Sequence, residues 1–349
     1  MEINKDILNK TISEFSKGRK DLLISEYTQI IDNDEIKELQ MKEIENVIEY
    51  ALDKDFDKLL TSFRNTEYDQ SYKYSALFKI INKDVGELLS VLEEKRNLKI
   101  NENDYFGHYN SEKRYFILNF FRRGTTLVGN EAITKERIQS AIIVLHEVDK
   151  ELYFEISVDS IQNYYRKDST NYYLSIIDRI VNWISQKLLI TCQPVNLNFT
   201  IDKMRKNQES DFLVSAQLMN TNNGAKATLD SASSTTIILP ILGELKELIA
   251  TNKNLFKNSE EGLEKINDFI IELEEESDLP WVSLINKTKK ISIKFLFESY
   301  TGKDYTLLNY YYHEKKREGM DYVTRKLLSE YNQVNIAKNK SEETSLSGI

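Results

Sequence analysis

Two segments of the sequence combine tyrosines with lysines and arginines, the residue types that bind nucleic-acid strands. The first contains Tyr164, Tyr165, Arg166 and Lys167, and the second contains Tyr311, Tyr312, Lys315, Lys316 and Arg317. Tyrosine rings stack on bases, while Lys and Arg side chains neutralise phosphates. Residues 309–340 hold seven basic and four acidic side chains, a positive excess in a chain whose net charge is −9. We therefore predict a nucleic-acid-binding surface that includes both segments.

A third basic group, Arg122 and Arg123, follows the apolar run of residues 115–121 and precedes Gly124. Guanidinium groups beside turn N–H groups can hold an anion, so this pair joins the predicted DNA- or RNA-binding residues. The alternative interpretation of residues 122–126 is an ordinary hairpin turn. Likewise, a chain with 20 tyrosines produces aromatic clusters by chance, and a charged helix near the C-terminus is usually only solvated.

Carboxylates around residues 151–159 support a second hypothesis, a metal-dependent nuclease or phosphodiesterase. Glu151 and Glu155 lie at the start and in the middle of one predicted strand, and Asp159 ends it. Paired carboxylates can hold Mg²⁺ and orient an attacking water. The lysine expected two residues after such an acid is missing, because Ser157 stands there. Alternation along the strand also predicts that Glu155 faces solvent. The acidic site is therefore degenerate at best.

Motifs for other chemistry are absent from the sequence. The eleven glycines form neither a Walker-type nor a Rossmann-type phosphate loop, and there is no G-x-S-x-G nucleophile elbow. His108, His146 and His313 lie far apart, and Cys192 is the single cysteine, so no zinc-ligand spacing exists. We therefore predict no catalytic residues, no metal and no cofactor, and we expect Cys192 to be a buried, inert thiol.

Charge and composition limit the setting in which the protein works. Acidic residues are spread along the chain, so contact with nucleic acid requires a local basic patch. A single cysteine excludes a disulfide-stapled secreted scaffold. The sequence contains no apolar run long enough to cross a membrane, and its first residues lack the apolar core of a signal peptide. We expect a cytoplasmic, soluble protein without a membrane partner.

Periodicity predicts helices first and strands later. Apolar residues recur at helical spacing over 36–52 and 76–92, and again over 171–189, 263–273 and 320–331. Runs rich in β-formers over 115–121, 138–146, 152–158 and 195–201 predict strands, and hairpins are expected across 147–151, 220–224 and 286–290. The predicted fold class is α+β, a helical N-terminal region followed by a mainly antiparallel sheet with packed helices.

The same pattern predicts the domain organisation. Residues 1–97 form the helical N-terminal region, 98–336 form the α+β body with a sub-boundary near 202–210, and 337–349 form a disordered tail. The leading functional hypothesis is a non-catalytic or regulatory binding protein associated with nucleic acid, in an accessory or antiviral defence role in a bacterium. The third hypothesis is a structural protein that associates with itself, as an oligomer, or with a protein partner through residues 1–97.

Overall fold

The helices and strands of the chain form two units, and each unit contains both helices and a sheet. The computed structural model describes residues 3–31, 43–101, 105–166, 171–207, 209–220, 226–230, 245, 248–256, 259–275, 278–311 and 316–346. The first unit contains residues 1–193 with 315–324, and the second contains 194–314 with 325–349.

Within the residues that the structure describes, the first unit begins with four helices and continues into a sheet. Its helices are α1 (Lys5–Ser13), α2 (Lys17–Ile30), α3 (Ile44–Lys54), α4 (Phe56–Asp69), α5 (Val85–Glu94) and α6 (Tyr172–Trp183), the last continued by a π-helical turn, Ile184–Leu188. Its strands are β1 (Tyr74–Ile80), β2 (Asn97–Asn101), β3 (Tyr105–Asn110), β4 (Tyr115–Val128), β5 (Glu131–Val148) and β6 (Glu151–Val158). Side-chain caps fix two helix starts, because Asn4 accepts the N–H of Ile7 and Asp84 accepts the N–H of Glu87.

Six strands of the first unit pair in the order β2-β3-β4-β5-β6-β1, and each of these five pairings is antiparallel. Val144 lies opposite Glu155 in the β5–β6 pair, and Leu77 lies opposite Glu155 in the β1–β6 pair. Almost every residue of β6 is buried, so this strand is covered on both faces. Glu155 is consequently an interior residue, which contradicts the prediction that it faces solvent.

The N-terminal helices share a core with the sheet. Residues of α1 to α4, including Leu8, Leu23 and Phe63, pack in one cluster with Ile138 of β5. The Thr11 hydroxyl also accepts the backbone N–H of Ile138 at 2.9 Å. The described apolar residues of α1 to α4 in this cluster therefore pack within the first unit.

The second unit has its own antiparallel sheet. Its strands are β8 (Phe212–Asn220), β9 (Lys226–Asp230), β10 (Asp278–Asn286), β11 (Ser292–Leu296) and β12 (Leu307–Tyr310), paired in the order β12-β11-β10-β8-β9. Its helices are α7 (Asn198–Lys206), α8 (Glu260–Glu275) and α9 (Glu298–Thr301), with a 3₁₀ turn at Lys253–Phe256. Strand β7 (Cys192–Pro194) spans the boundary between the units, and α10 (Lys316–Leu346) gives its residues up to Thr324 to the first unit and the rest to the second.

The predicted fold class is confirmed: the protein is α+β, with helices at its N-terminus and a mainly antiparallel arrangement of strands. The hairpins β5–β6, β8–β9 and β10–β11 pair as predicted. The helices predicted over 171–189, 263–273 and 320–331 correspond to α6 with its π turn, α8 and α10. The turn predicted at 220–224 lies mostly outside the described residues.

Two predicted elements are wrong. Residues 76–92 divide into strand β1 and helix α5, because a short apolar run buried on both faces has no periodicity that separates a strand from a helix. The strand predicted over 195–201 is interrupted by α7, which begins at Asn198.

The units also differ from the predicted domains. The division at residue 193 falls neither near 97 nor in 202–210, since the N-terminal helices belong with the first sheet and α7 occupies most of the second stretch. The helix α10 extends to Leu346, into the segment predicted to be disordered, because good helix formers such as Ala337 and Glu342 lie there without proline or glycine to end the helix. Residues 347–349 lie outside the described residues.

Candidate nucleic-acid interface and buried ion-pair cluster

The distal part of the β4–β5 hairpin extends beyond its neighbours. The two strands pair without interruption as far as Val128 and Glu131, and Gly129-Asn130 forms the two-residue turn. Gly129 has φ 61°, a conformation that glycine adopts without steric cost. Strand β6 pairs only with residues 141–148 of β5, so residues 131–140 continue past it. We call residues 122–137 the arm.

The arm carries a positive excess. It contains the basic residues Arg122, Arg123, Lys135 and Arg137 and only two acidic residues, Glu131 and Glu136. Residues directly opposite in an antiparallel pair share a face of the ribbon. Arg122 lies opposite Arg137, and two ladder positions further Lys135 lies opposite Gly124, so three of the four cations lie on one face. The Arg123 side chain, on the other face, is 68% exposed.

The tyrosine segment lies against the arm at Gly124. A Cβ atom on Gly124 would stand 2.2 Å from the carbonyl oxygen of Tyr164, so the 3₁₀ turn Asn163–Tyr165 touches the strand where no side chain intervenes. This contact places the Tyr164 segment on the face of the arm that carries Arg122, whereas Arg123 lies on the opposite face. Residues 122–126 are interior to β4, however, so the predicted turn at that place is wrong.

Glu14, the C-cap residue of α1, organises the cations on one side of this junction. Its carboxylate accepts a hydrogen bond from the Tyr165 hydroxyl at 2.7 Å and from Arg137 at 3.4 Å, and the Lys135 ammonium lies 3.7 Å away. Burial and this carboxylate raise the pKa of Tyr165 well above its usual range, which keeps the hydroxyl a proton donor. Tyr165 is buried, so it supports the surface and does not stack on a ligand there.

Glu136 organises the cations of the other face. The Lys10 ammonium lies 3.1 Å from its carboxylate, and Arg123 lies 3.7 Å away. Lys10 also pairs with Asp6 at 2.7 Å. These acids offset part of the charge, but exposed ion pairs are weak and exchange readily for phosphate partners. A cleft of about 490 Å³ is lined by residues from both groups, including Lys10, Glu14, Lys135, Glu136, Arg137 and Tyr164.

The half-buried arginines are held by aromatic rings. Arg122 donates from Nε to Gln139 at 2.9 Å and stands 5.0 Å from the centre of the Phe120 ring. The Arg166 guanidinium stands 5.6 Å from the centre of the Tyr173 ring. Cation–π contacts of this kind fix the orientation of a guanidinium while its edge stays available for hydrogen bonds.

The second basic–aromatic segment is placed differently from its prediction. Tyr311 is exposed and belongs to the second unit, whereas Lys316 is exposed and belongs to the first. Arg317 is 2% exposed and takes part in an interior ion pair, so the prediction that it binds nucleic acid is wrong. Its sequence neighbours gave no sign of this, because its partner Glu155 is distant in the chain. The remaining predicted residues, Lys167, Tyr312 and Lys315, lie outside the described residues.

Three cations of the surface, Lys10, Lys135 and Arg137, were missed by sequence reasoning. The signal was the Gly129-Asn130 turn, which pairs β4 with residues N-terminal to 138 and so places Lys135 and Arg137 beside Arg122 and Arg123. Lys10 had no such signal, since only the packing of α1 on β5 brings it to the arm.

The interior of the first unit holds a second polar cluster, centred on Glu155. Its carboxylate accepts hydrogen bonds from Arg317 at 2.5 Å, from Ser157 at 3.0 Å, and from Ser75 and Thr324 at 3.1 Å. Burial by itself would raise the pKa of Glu155, but Arg317 beside it, with His146, holds that pKa well below the usual range. Glu155 is therefore an ionised carboxylate with no exposed surface.

Arg317 connects Glu155 to a second acid. Its guanidinium lies 2.6 Å from Asp321, one helical turn along α10, and His146 Nε2 lies 2.8 Å from Glu155. His146 Nδ1 has no hydrogen-bond partner among the described residues. The ligand atoms of His146, Glu155 and Asp321 lie within 4.8 Å of one another, the spacing of a metal site. The Arg317 guanidinium bridges the two carboxylates and supplies the positive charge there, so we interpret the cluster as an ion-pair network.

The acids of the nuclease hypothesis are not brought together. Glu151 and Glu155 are four residues apart, and so are Glu155 and Asp159. Four residues of extended strand span about 13 Å. Glu151 pairs with Lys79 at 2.9 Å, and Asp159 lies 3.8 Å from Arg19. Each acid thus has its own cation, and Glu151, Glu155 and Asp159 cannot ligate one ion.

The remaining candidate group is the thiol of Cys192, which is only partly buried, whereas the sequence predicted a buried residue. Burial raises its pKa to about 12, so the thiol is protonated at neutral pH.

Among the described residues, no helix combines the length and the apolar character needed to cross a bilayer. Comparison of the chain with protein-family models, with curated proteins and with solved structures gave no match.

Proposed function

We propose that this chain is a non-catalytic nucleic-acid-binding protein that contacts the phosphate backbone through the arm and the adjoining Tyr164 turn. The observation that carries the proposal is the arm itself, a paired ribbon with four basic and two acidic side chains that extends past β6. A two-stranded ribbon is narrow enough to enter a groove of a duplex.

Charge and chemistry on this surface fit a phosphate chain better than a small anion. On one face of the arm, Arg122 and Arg137 share a ladder position and Lys135 lies two positions further towards the turn, so these cations form a short row and not a single point. Tyr164 is half-buried beside them and offers a ring edge for a base or sugar. In a chain of net charge −9, such a row is where a polyanion can approach.

The test is fluorescence-anisotropy titration of labelled DNA and RNA oligonucleotides over a salt series. Arg123→Gln combined with Lys135→Gln removes two exposed charges from the arm, and neither side chain belongs to the core. We expect weaker binding at low salt and a fall of about 2 in the slope of log affinity against log salt, since each phosphate contact contributes about 0.9.

The matched control is Lys206→Gln combined with Lys265→Gln, which removes two exposed lysines from the second unit. The control should leave the salt slope within about 0.5 of the unchanged protein, because these lysines make no phosphate contact in the proposal. Equal slopes for the arm variant and the unchanged protein, or an equal loss in the control, would refute the proposal.

A further inference from the structure

The end of the arm exposes aliphatic side chains. Leu127 is 74% exposed and Val128 is 53% exposed, and Ile133 is exposed beside them. We call residues 127–133 the tip. Folding does not require aliphatic side chains at these exposed positions. A group of large aliphatic side chains at a projecting end therefore indicates a contact surface.

The two faces of the ribbon both contribute to the tip. Leu127 lies opposite Ala132 on one face, whereas Val128 and Ile133 lie on the other, since Val128 is opposite Glu131 and Ile133 is opposite Thr126. The tip is therefore a flat ribbon end with apolar side chains on both faces. This shape allows it to insert as a wedge between two stacked planar groups.

The basic residues lie behind this wedge. Arg123 is four ladder positions from Leu127, which corresponds to about 13 Å along the strand. A ligand that contacts both the basic residues and the tip must carry negative charge on its outside. It must also offer an apolar, planar surface about 13 Å from that charge. Duplex nucleic acid has this arrangement, with phosphates outside and stacked bases inside, and apolar side chains inserted at a base step unstack it and kink the duplex.

We infer that the arm binds duplex nucleic acid with its basic residues on the phosphates and its tip inserted at a base step, which it partly unstacks. This inference rests on the proposed function and adds the form of nucleic acid and the mode of contact. Insertion requires unstacking of the step, so a duplex with a mismatch at that step binds more tightly than a fully paired one.

The experiment uses the full chain and duplexes that contain 2-aminopurine, whose fluorescence rises when it unstacks. Binding is measured by anisotropy on the same samples. We expect the unchanged protein to raise 2-aminopurine fluorescence at least twofold at saturation and to bind a mismatched duplex at least threefold more tightly than the paired one.

The test variant is Leu127→Ser combined with Val128→Ser, and the control is Leu255→Ser, an exposed leucine of the second unit. The tip variant should still bind with a similar salt slope but lose both the fluorescence rise and the mismatch preference. Circular dichroism melting should give the same midpoint for all three proteins, because none of these side chains is buried.

The outcomes separate the two proposals. Salt-dependent anisotropy without a rise in 2-aminopurine fluorescence, or a rise that the tip variant keeps, overturns the inference and leaves phosphate binding intact. Absence of salt-dependent anisotropy with every oligonucleotide overturns the proposed function itself. Tip-dependent binding to phosphatidylglycerol vesicles in place of duplexes also overturns the inference, since it assigns the tip to a lipid surface.

Discussion

The sharpest test of the interior of the first unit is the substitution Glu155→Gln. The change keeps the size of the side chain but leaves Arg317 buried opposite a neutral amide, where it now meets one acid, Asp321, instead of two. Removing one partner of a buried ion pair costs about 3–5 kcal/mol, because the other charge stays desolvated and uncompensated. That is a large part of the roughly 5–15 kcal/mol by which a folded domain is stable.

The assay is urea unfolding followed by tryptophan fluorescence. Trp183 lies in the first unit and Trp281 in the second, so a Trp281→Phe background reports the first unit alone. The matched control is Glu147→Gln on the neighbouring strand, whose half-exposed carboxylate lies 4.0 Å from Arg114. An exposed pair of this kind contributes less than about 1 kcal/mol, so the control should change little.

The same variant predicts a pH dependence with a definite sign. The pKa of Glu155 lies below its ordinary value of 4.5 in the folded protein, so ionised Glu155 stabilises the fold fully above that pH. The contribution is lost as the pH falls towards the lower folded-state pKa. The stability difference between the unchanged protein and Glu155→Gln should therefore narrow as the pH falls below about 4.5.

Two results would refute this reasoning. A Glu155→Gln protein within about 0.5 kcal/mol of the unchanged protein would mean that Arg317 is not confined beside Glu155. A stability difference that widens on acidification would reverse the sign of the linkage. The pair Glu155→Leu with Arg317→Met serves as a rescue, since an apolar pair of similar volume restores much of the lost stability.

The other predictions concern a close backbone contact and the partly buried thiol of Cys192. Gly124→Ala should destabilise the first unit by about 1–3 kcal/mol in the same urea assay, because its Cβ would collide with the Tyr164 carbonyl. Gly18→Ala, where open space surrounds the new atom within helix α2, should instead stabilise by about 0.4–1 kcal/mol, and equal effects of the two would contradict the contact. Cys192 should react with a thiol reagent at pH 8 at least tenfold more slowly in the native protein than in urea, and equal rates would contradict its raised pKa.

Parts of the site were within reach of the sequence. The types of residue at Arg122, Arg123, Tyr164 and Arg166 indicate phosphate and base chemistry, and the structure brings these segments together at Gly124. The sequence alone does not predict that these two segments meet, because they are about forty residues apart and no local pattern specifies a contact between them. The Gly129-Asn130 turn was a local signal that would have extended the hairpin and revealed Lys135.

Local chemistry settled the elements that have strong periodicity or turn signals. Alternation and turn residues predicted the β5–β6 and β10–β11 hairpins, and helical spacing predicted α6 and α8, because backbone preferences of those residues agree with the final fold. Composition settled the acidic character of the chain and its lack of phosphate-loop and zinc motifs.

Tertiary structure decided the role of each charged residue. Arg317 and Glu155 resemble surface residues in the sequence, yet the packing of α10 on β6 buries both and makes them partners across 162 positions. Glu14 likewise gathers Arg137 and Tyr165 only because α1 lies along β5. Local spacing sets which face of an element a side chain occupies, but whether that face meets water or an opposite charge depends on what the rest of the chain places against it.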